Sequence, residues 1–485
     1  MESGAGPGKA QTRQRTKGPK SSKTNPPYRK HVYGHAQAID SVWLTDSFLP
    51  NSVDPGYGFP HSGPRCAPDR GHTGAIRAGV QSDSVTPAPS KAAIVPADTE
   101  SGGGRALAGF LLSGFLLALL GAILPAWGYH RDPPDFTAVG NYFLSLAVGI
   151  MAAARLAPRI MARRGLTFLL VSACALSCVA LAYLALVSPP LSEWWRVAGL
   201  LALGIGAGLL DMGLFYAISP SYQADAAGTV NLGGIWYGLG CLAATLLVAG
   251  TFSAYYAVPS ILLFMAAVPG VFAAIYARSS YAAPPAGTQP SLRQALADFR
   301  SPGAILFALL LFFQFGNEWS IAGWLPLLLI RRVGLSPSAA LLTLALYWFC
   351  LMTGRLGAVS ILPRVRHGRL LVGSVLLALF GCLILFSTNN GFGAAMGAVF
   401  VGCGYAPMYP LVAEAIGRRF PYYHPGFFNG IFSFALVGGL IAPASLGYLA
   451  VSQGVGVVMG IPLIGTCTVM VLILLIWLET KVTGR

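Results

Sequence analysis

The sequence predicts an all-α membrane protein in which twelve transmembrane helices form two pseudo-symmetric six-helix halves. The 485 residues are 55% hydrophobic and only 10% charged, with a mean hydropathy of +0.63. This composition is typical of proteins that cross a bilayer many times and excludes an ordinary soluble domain. After residue 105 the chain contains twelve apolar stretches, each close to the roughly 20 residues that one crossing requires. A weak repeat relates the first six stretches to the last six.

Residues 1–104 are predicted to be a disordered tail, because they are rich in proline, glycine, serine and basic residues. Thirteen of the 32 Lys and Arg lie in residues 1–105, so the formal charge of +15 reflects this tail and loop arginines rather than a nucleic-acid-binding surface. The tail lacks the apolar core of a signal peptide. Two interpretations stay open. The tail is a cytoplasmic basic arm, or the start codon is placed too early; no Met occurs between Met1 and Met151.

The twelve spans divide into two halves of six. The N-terminal half, residues 105–277, has spans at 106–129, 138–157, 166–187, 195–219, 227–250 and 255–277. A polar connector at 278–302 follows, and its segment PSLRQALADFR predicts a short amphipathic helix on the membrane surface, with Ser291 as its cap. The C-terminal half, residues 303–480, has spans at 303–329, 336–362, 369–388, 392–417, 425–450 and 455–478.

The distribution of arginines predicts a protein of the inner or plasma membrane with both termini in the cytoplasm. With the N-terminus inside, the opposite loops carry only Arg131, Arg196, Arg331 and Arg332. The cytoplasmic loops and the C-terminal segment then carry Arg159, Arg163, Arg164, Arg278, Arg293, Arg300, Arg364, Arg366, Arg369, Arg418, Arg419, Lys481 and Arg485. The positive-inside rule favours this orientation, which also requires an even number of spans.

The seventh span carries the strongest candidate for a binding site. Its sequence FFQFGNEWSIAGW places Glu318 near the middle of the membrane, where a charge costs several kcal/mol and marks a functional residue by default. Gln314 lies four residues earlier on the same helix face, and Asn317 is adjacent. Trp319 and Trp324 add aromatic faces, and this combination suits a ligand with many hydroxyl groups. The competing interpretation is that Glu318 only pairs structurally within the bundle.

Three other charged residues within spans carry further predictions. Arg355 and Glu414 are both near the cytoplasmic ends of their spans, which predicts an ion pair that acts as a structural gate. Asp211 lies deeper in the fourth span, with no Lys, Arg or His at its depth in that span. Such a carboxyl group suits proton binding and release, although a neutral, hydrogen-bonded Asp with a packing role is the alternative.

Several motifs of the membrane region match the pattern of one transporter family. They are Gly316-x-Glu318 with Trp324 in the seventh span, Tyr347-Trp348 and Gly354-Arg355 in the eighth, Gly402-x-Gly404-x-x-Pro407-x-x-Pro410 in the tenth, Gly206-x-Gly208-Leu209-Leu210-Asp211 in the fourth, and Asn231 in the fifth. With the repeated loops Pro158-Arg159 and Pro363-Arg364, they make residues 109–478 resemble the major facilitator superfamily, and within it the fucose:proton symporter family and related sugar permeases. The resemblance implies the major facilitator fold with a substrate path between the halves.

The resemblance also implies roles for individual residues. Asp211 is expected to carry the proton. The residues expected to bind substrate are Glu318, Gln314, Asn317, Trp319, Trp324, Tyr409 and Asn231. The chain departs from the family pattern at three places. Leu214 to Tyr216 occupy the region where the family has an asparagine, Gly234 stands where a histidine is frequent, and Ala153 stands where many superfamily members have aspartate.

These observations predict a secondary transporter that takes up a small polar solute, most simply a monosaccharide, together with protons. Efflux of drugs or metabolites by proton antiport is the second interpretation, and a non-transporting receptor or sensor is a third. No phosphate-binding loop or Ser-His-Asp grouping is visible in the sequence, so neither an ATP-driven pump nor an enzyme is expected. The eight cysteines lack zinc spacing, and we expect no metal, no cofactor and a monomer.

Overall fold

The computed structural model describes residues 97–483 except 220, 222–225, 255–256, 280, 282–298, 300, 363 and 420–429. The predicted disordered tail, residues 1–104, lies outside the described residues up to residue 96, whereas residues 97–104 are helical. The predicted surface helix within 290–300 also lies outside the described residues, apart from Phe299.

The first half of the membrane region contains a helix that is too long for one crossing. Phe136–Leu186 has 51 residues, which at 1.5 Å each exceeds twice the roughly 30 Å of a bilayer core. It breaks at Gly165, whose φ of 84° and ψ of 171° are not helical and favour glycine. We therefore number its arms separately. The helices are α1 (Ala97–Ala126), α2 (136–164), α3 (166–186), α4 (Glu193–Ala217), α5 (Ala226–Ala254) and α6 (Val258–Ala277).

The second half also contains six helices, and one of them, α10, is interrupted. The helices are α7 (Pro302–Leu328, extended by a π-helical turn Leu329–Val333), α8 (Pro337–Ile361), α9 (His367–Ser387), α10 (Gly391–Tyr405 and Met408–Arg419), α11 (Gly430–Gln453) and α12 (Val457–Thr483). The break in α10 falls at Ala406 and Pro407, where the proline supplies no N–H to the helix. Within the described residues the chain thus crosses the membrane twelve times, because eleven helices have the required length and apolarity and one of them is double.

Each predicted span overlaps one of these helices. Several helices begin where the sequence offers a start signal. The Asp135 carboxylate accepts the N–H of Ala138 at 2.9 Å, and the Asn390 side chain accepts the N–H of Gly393 at 2.7 Å. Proline occupies the first turn of α6, α7 and α8, where its missing N–H has no consequence. The prediction of an all-α fold with twelve membrane helices is therefore confirmed.

The helices pack in two groups that meet along a few crossings. In the first six, α1 packs on α5, α3 on α6, and both arms of the long helix on α4; in the last six, α7 packs on α11 and α12, and α10 on α8 and α9. Between the groups, α5 packs on α8 and α2 on α11. At the α2–α11 crossing Gly447 lies so close to Gly140 that a Cβ on either would collide or be crowded. Small residues that let helices approach closely are the usual device of membrane bundles.

The two ends of the bundle differ in charge. We call arginine-rich the end that carries Arg159, Arg163, Arg164, Arg364, Arg366, Arg369, Arg418 and Arg419, and arginine-poor the opposite end, with the loops at 127–135, 187–192, 334–336, 388–390 and 454–456.

Candidate functional site

A cavity of about 190 Å³ lies between the two groups of helices. One water molecule requires roughly 10–15 Å³, so the cavity can hold a small solute. It is lined by α1, α2, α4 and α5 from the first group and by α7, α8, α10 and α11 from the second. Its lining runs from mid-membrane toward the arginine-rich end, and most of it is aromatic or aliphatic. The polar and charged lining residues include Ser113, Asp211, Thr229, Glu318, Arg355 and Tyr409.

Glu318 reaches the cavity from the middle of α7. The side-chain amide of Gln314, one turn earlier, donates a hydrogen bond to Glu318 Oε1 at 2.8 Å. Gln314 itself is fully buried and is not among the cavity-lining residues, so it acts on the cavity through Glu318. Arg355 is the cation whose electrostatic attraction acts on this carboxylate. Glu318 is therefore held by an amide and faces a positive charge.

Asp211 lines the same cavity from α4 but has different surroundings. The Ser113 hydroxyl on α1 is the polar neighbour that interacts with it. Its Oδ1 is buried and has no hydrogen-bond partner among the described residues. The two carboxylates of the cavity thus differ, because only Glu318 faces a guanidinium that acts on it.

Arg355 and Glu414 do not pair in the described structure, so the predicted structural gate is not formed in this conformation. Arg355 turns into the bundle, where Nη1 donates to the Gly234 carbonyl at 2.6 Å and Nε to the Ala406 carbonyl at 3.4 Å. Glu414 faces the arginine-rich end, where it pairs with Arg418 on its own helix and lies 3.5 Å from His367 Nε2. The prediction rested on the similar depth of the two residues in their spans, but their side chains point to different neighbours.

The other predicted binding residues divide into two sets. Trp319 and Tyr409 line the cavity, with the Tyr409 ring 5.2 Å from that of Phe315. Asn317, Trp324 and Asn231 are buried and do not line the cavity in this conformation.

Asn317 and Trp324 face other helices. The Asn317 amide donates to Thr466 Oγ1 on α12 at 3.4 Å. The Trp324 indole donates to the Pro443 carbonyl on α11 at 2.9 Å, and its ring stacks on Phe143 of α2 at 6.0 Å.

Three lining residues were not among the predicted binding residues: Ser113, Tyr237 and Trp348. Ser113 contacts Asp211 from another helix, a proximity that no spacing within one span reveals. Tyr237 and Trp348 were two of several aromatic residues at similar depth, and their rings meet edge to face across the cavity at 6.4 Å. Arg355 was predicted to be part of a gate, but its charge within the membrane could also have predicted its place in the cavity, since such charges normally face a bundle interior.

The two groups of helices are joined at the arginine-poor end. Arg331 Nη1 donates to Asp132 Oδ1 at 2.6 Å and to the His130 carbonyl at 3.2 Å. The Tyr448 hydroxyl of α11 donates to Asn141 Oδ1 of α2 at 2.7 Å. Burial and the charges of Arg131 and Arg331 lower the pKa of His130, which favours its neutral form beside these arginines. Together with the Trp324–Phe143 stack, these contacts close the cavity toward this end.

Comparisons with known proteins agree with this architecture. No protein-family profile matches the chain. An uncharacterized MFS-type transporter of Yersinia pestis is 23% identical over 368 residues, which cover 72% of this chain and 89% of that protein. That relative is a transporter and not an enzyme.

Three solved structures share the fold at low sequence identity. FucP, a major facilitator superfamily transporter in its outward conformation, aligns with a TM-score of 0.58 and 15% identity over 78% of this chain and 99% of its own. A D-xylose–proton symporter gives 0.61 and 14% over 78% and 97%, and the nucleoside transporter NupG gives 0.57 and 12% over 79% and 98%. The chain is therefore a multi-pass membrane protein with the fold of the major facilitator superfamily transporters.

Proposed function

We propose that the protein is a secondary active transporter that takes up a small polar solute, specifically a monosaccharide, together with protons. The observation that carries the proposal is that two membrane-embedded carboxylates, Asp211 and Glu318, line one cavity between the two groups of helices. Ionisable groups at this depth are expensive and are retained for substrate or proton pathways. A cavity at the interface between two helix groups is where secondary transporters bind their substrates.

The chemistry of the cavity suits a solute that has both hydroxyl groups and an apolar face. Glu318 can accept hydrogen bonds from hydroxyl groups, and Trp319 and Tyr409 offer aromatic surfaces for stacking. The similar structures include a fucose:proton symporter, a D-xylose–proton symporter and a nucleoside transporter, by their names. All three solutes combine a sugar ring with several hydroxyl groups, which supports the monosaccharide class.

Asp211 is the proposed proton carrier. Its buried Oδ1 lacks a partner among the described residues, so the charged form is costly there and protonation removes that cost. A proton drives transport only if the charge state of its carrier shifts the equilibrium between the two conformations. Asp211 lies on α4 and Glu318 on α7, so proton and solute would bind to different helix groups across one cavity.

We place the protein in the inner or plasma membrane as a monomer, with the arginine-rich end and both termini in the cytoplasm. With this orientation the described conformation is inward-facing, because its closed end is the arginine-poor one. The loop arginines support this orientation through the positive-inside rule. A reporter fused to the C-terminus should be active only on the cytoplasmic side; activity on the outer side would reverse the assignment.

Efflux by proton antiport is the second candidate. It is favoured by one observation, which is that most of the cavity wall is aromatic or aliphatic, as in Phe110, Phe215, Phe315 and Phe432. Such a wall suits apolar drugs or metabolites. A receptor or sensor without transport activity is the third class, and it would bind a solute without moving it.

Uptake into proteoliposomes separates these functions. Purified protein is reconstituted, and labelled D-xylose, fucose and a nucleoside are offered with and without an imposed inward proton gradient. Symport predicts accumulation of one of them above the external concentration only with the gradient. Equilibration without accumulation indicates a uniporter. Gradient-dependent extrusion of a preloaded apolar dye indicates antiport, and binding without any flux indicates a receptor.

A further inference from the structure

Arg355 reaches from α8 to α5 through a space that only a glycine leaves open. Its side chain is buried, and its Nη1 donates to the carbonyl oxygen of Gly234 at 2.6 Å. A Cβ built on Gly234 would collide with Nη1 and Cζ of the same guanidinium. Any side chain at position 234 would therefore displace Arg355 from this carbonyl.

The close approach is confined to one residue. Gly233, the neighbouring glycine, also lines the cavity, but a Cβ there would meet Phe110 at 3.4 Å and beyond, which is ordinary van der Waals contact. The two adjacent glycines thus form a matched pair, in which one is required by the position of Arg355 and the other is not.

The guanidinium joins three helices and faces a fourth. Besides the α5 carbonyl of Gly234, its Nε donates to the carbonyl of Ala406 at the break in α10. From this position it lines the same cavity as Glu318 of α7, and its charge attracts that carboxylate. The planar fork of an arginine can hold several acceptors in fixed directions at once, which a lysine cannot do. The hydrogen bond to Gly234 also links the two helix groups beside the cavity, whereas the Arg331 and Tyr448 bonds link them at the arginine-poor end.

We propose that Arg355 is a positioning residue of the solute site, which is fixed by the α5 and α10 carbonyls so that its charge orients the Glu318 carboxylate, and that Gly234 is required to admit it. The inference rests on the proposed function, because it gives Arg355 a part in solute binding. Gly234, which departs from the family pattern, is then the counterpart of the arginine and not a lost binding residue.

Two thermal-stability cycles on purified protein test the inference without any solute. In the first, G234A should lower the melting temperature by several degrees in the Arg355 protein but cause no further loss in R355Q, because the collision is gone. G233A is the matched control and should have the same small effect in both backgrounds. In the second cycle, E318Q should recover part of the stability that R355Q loses, because it removes the carboxylate left without its cation. The inference would be overturned if, in either cycle, the change in melting temperature of the double variant equalled the sum of the changes in the two single variants.

Exchange kinetics separate positioning from a purely structural role. Labelled D-xylose and fucose are exchanged across proteoliposomes at equal concentrations on both sides. R355Q should raise the KM at least tenfold, and R355K should restore part of the loss. A lower amount of active protein with an unchanged KM would make Arg355 structural only. If neither sugar exchanges in the unmodified protein, the proposed sugar function fails, and the stability cycles still decide whether Arg355 is seated by Gly234 and acts on Glu318.

Discussion

At the scale of residues, the two carboxylates of the cavity are distinguished by their partners. Glu318 accepts a hydrogen bond from the Gln314 amide and is attracted by Arg355, and these two interactions offset part of the cost of burying its charge. Asp211 has the Ser113 hydroxyl as its neighbour and a buried oxygen without a partner in the described part of the chain. This difference favours a solute-binding role for Glu318 and a proton-carrying role for Asp211.

Replacing Asp211 by Asn should uncouple the transporter. Asn mimics the protonated carboxyl group, so the variant should exchange solute between equal pools at a near-normal rate but lose accumulation driven by a proton gradient. Counterflow and gradient-driven uptake in the same proteoliposomes measure the two activities. E318Q is the matched variant and should weaken both, since it alters the solute site. If D211N still concentrates solute, Glu318 becomes the candidate proton carrier.

Trp319 and Trp324, five residues apart, should behave differently when truncated. Trp324 is fully buried, donates to Pro443 and stacks on Phe143, so W324A should lower the melting temperature strongly, by the equivalent of about 3–5 kcal/mol. Trp319 is only partly buried and lines the cavity, so W319A should raise the KM with a smaller loss of stability. Thermal unfolding and transport assays on both variants test this contrast, and equal stability losses would contradict it.

Residue depth was predictable from the sequence, whereas side-chain direction was not. Successive residues on a helix are rotated by about 100°, so Gln314 and Glu318 share a face while Asn317 points elsewhere. The polar side chains of this span lie on more than one face, and nothing in its sequence says which face meets the cavity. For the same reason Asn317 turned out to contact Thr466, and Arg355 to contact Gly234 instead of Glu414.

At the scale of elements, the existence of each helix was predictable from the length of its apolar stretch. The breaks and extensions of individual helices were not. The span predicted at 303–329 is the helix Pro302–Leu328, because hydropathy alone defines such a segment. The helical extension of α2 through Pro158 and the break in α10 at Pro407 were not predicted. A proline breaks a membrane helix or is accommodated within it depending on neighbouring helices, which a single sequence does not show.

The loop between α1 and α2 and the π-helical turn at the end of α7 should act together as a latch at the arginine-poor end. The Arg331–Asp132 bond joins the two helix groups, but Asp132 is 80% exposed, so its contribution should be about 1 kcal/mol or less. R331A should therefore raise the population open at the arginine-poor end by no more than about fivefold.

Cysteine labelling measures this change. A cysteine at Ala322, which lines a small void between the cavity and the arginine-poor end, should react up to about fivefold faster with an impermeant maleimide in R331A. Arg332 bonds the Phe386 carbonyl within its own helix group, so R332A should leave the labelling rate unchanged. Protein without the added cysteine gives the background. An equal increase in the labelling rate of R331A and R332A would show that the Arg331–Asp132 bond is not a latch.

At the scale of the whole molecule, the described helices contain all the parts that the proposed transport cycle uses. The cavity, both carboxylates, Arg355 and the closure at the arginine-poor end all lie between residues 104 and 483. The residues before α1 have a composition that cannot bury a core. The fold was predictable at this scale because the number of crossings and the fold class depend on the summed hydropathy of each span and on the repeat between the two halves. Neither property depends on any single residue.

Deleting residues 1–96 should leave membrane insertion, melting temperature and transport unchanged. The truncated and full-length proteins can be compared for yield in the membrane fraction and for solute exchange in proteoliposomes. A truncated protein that fails to insert or loses exchange would give this segment a function that its composition does not indicate.

Movement of protons together with the solute distinguishes symport from the other modes of transport. It is measured by adding the transported sugar to a weakly buffered suspension of proteoliposomes without any imposed gradient and recording the external pH. For a symporter, the medium should become alkaline as sugar enters, at a rate proportional to sugar uptake, and D211N should take up sugar to equilibrium without this change. Sugar entry with no pH change in the unmodified protein, or acidification of the medium, would contradict symport.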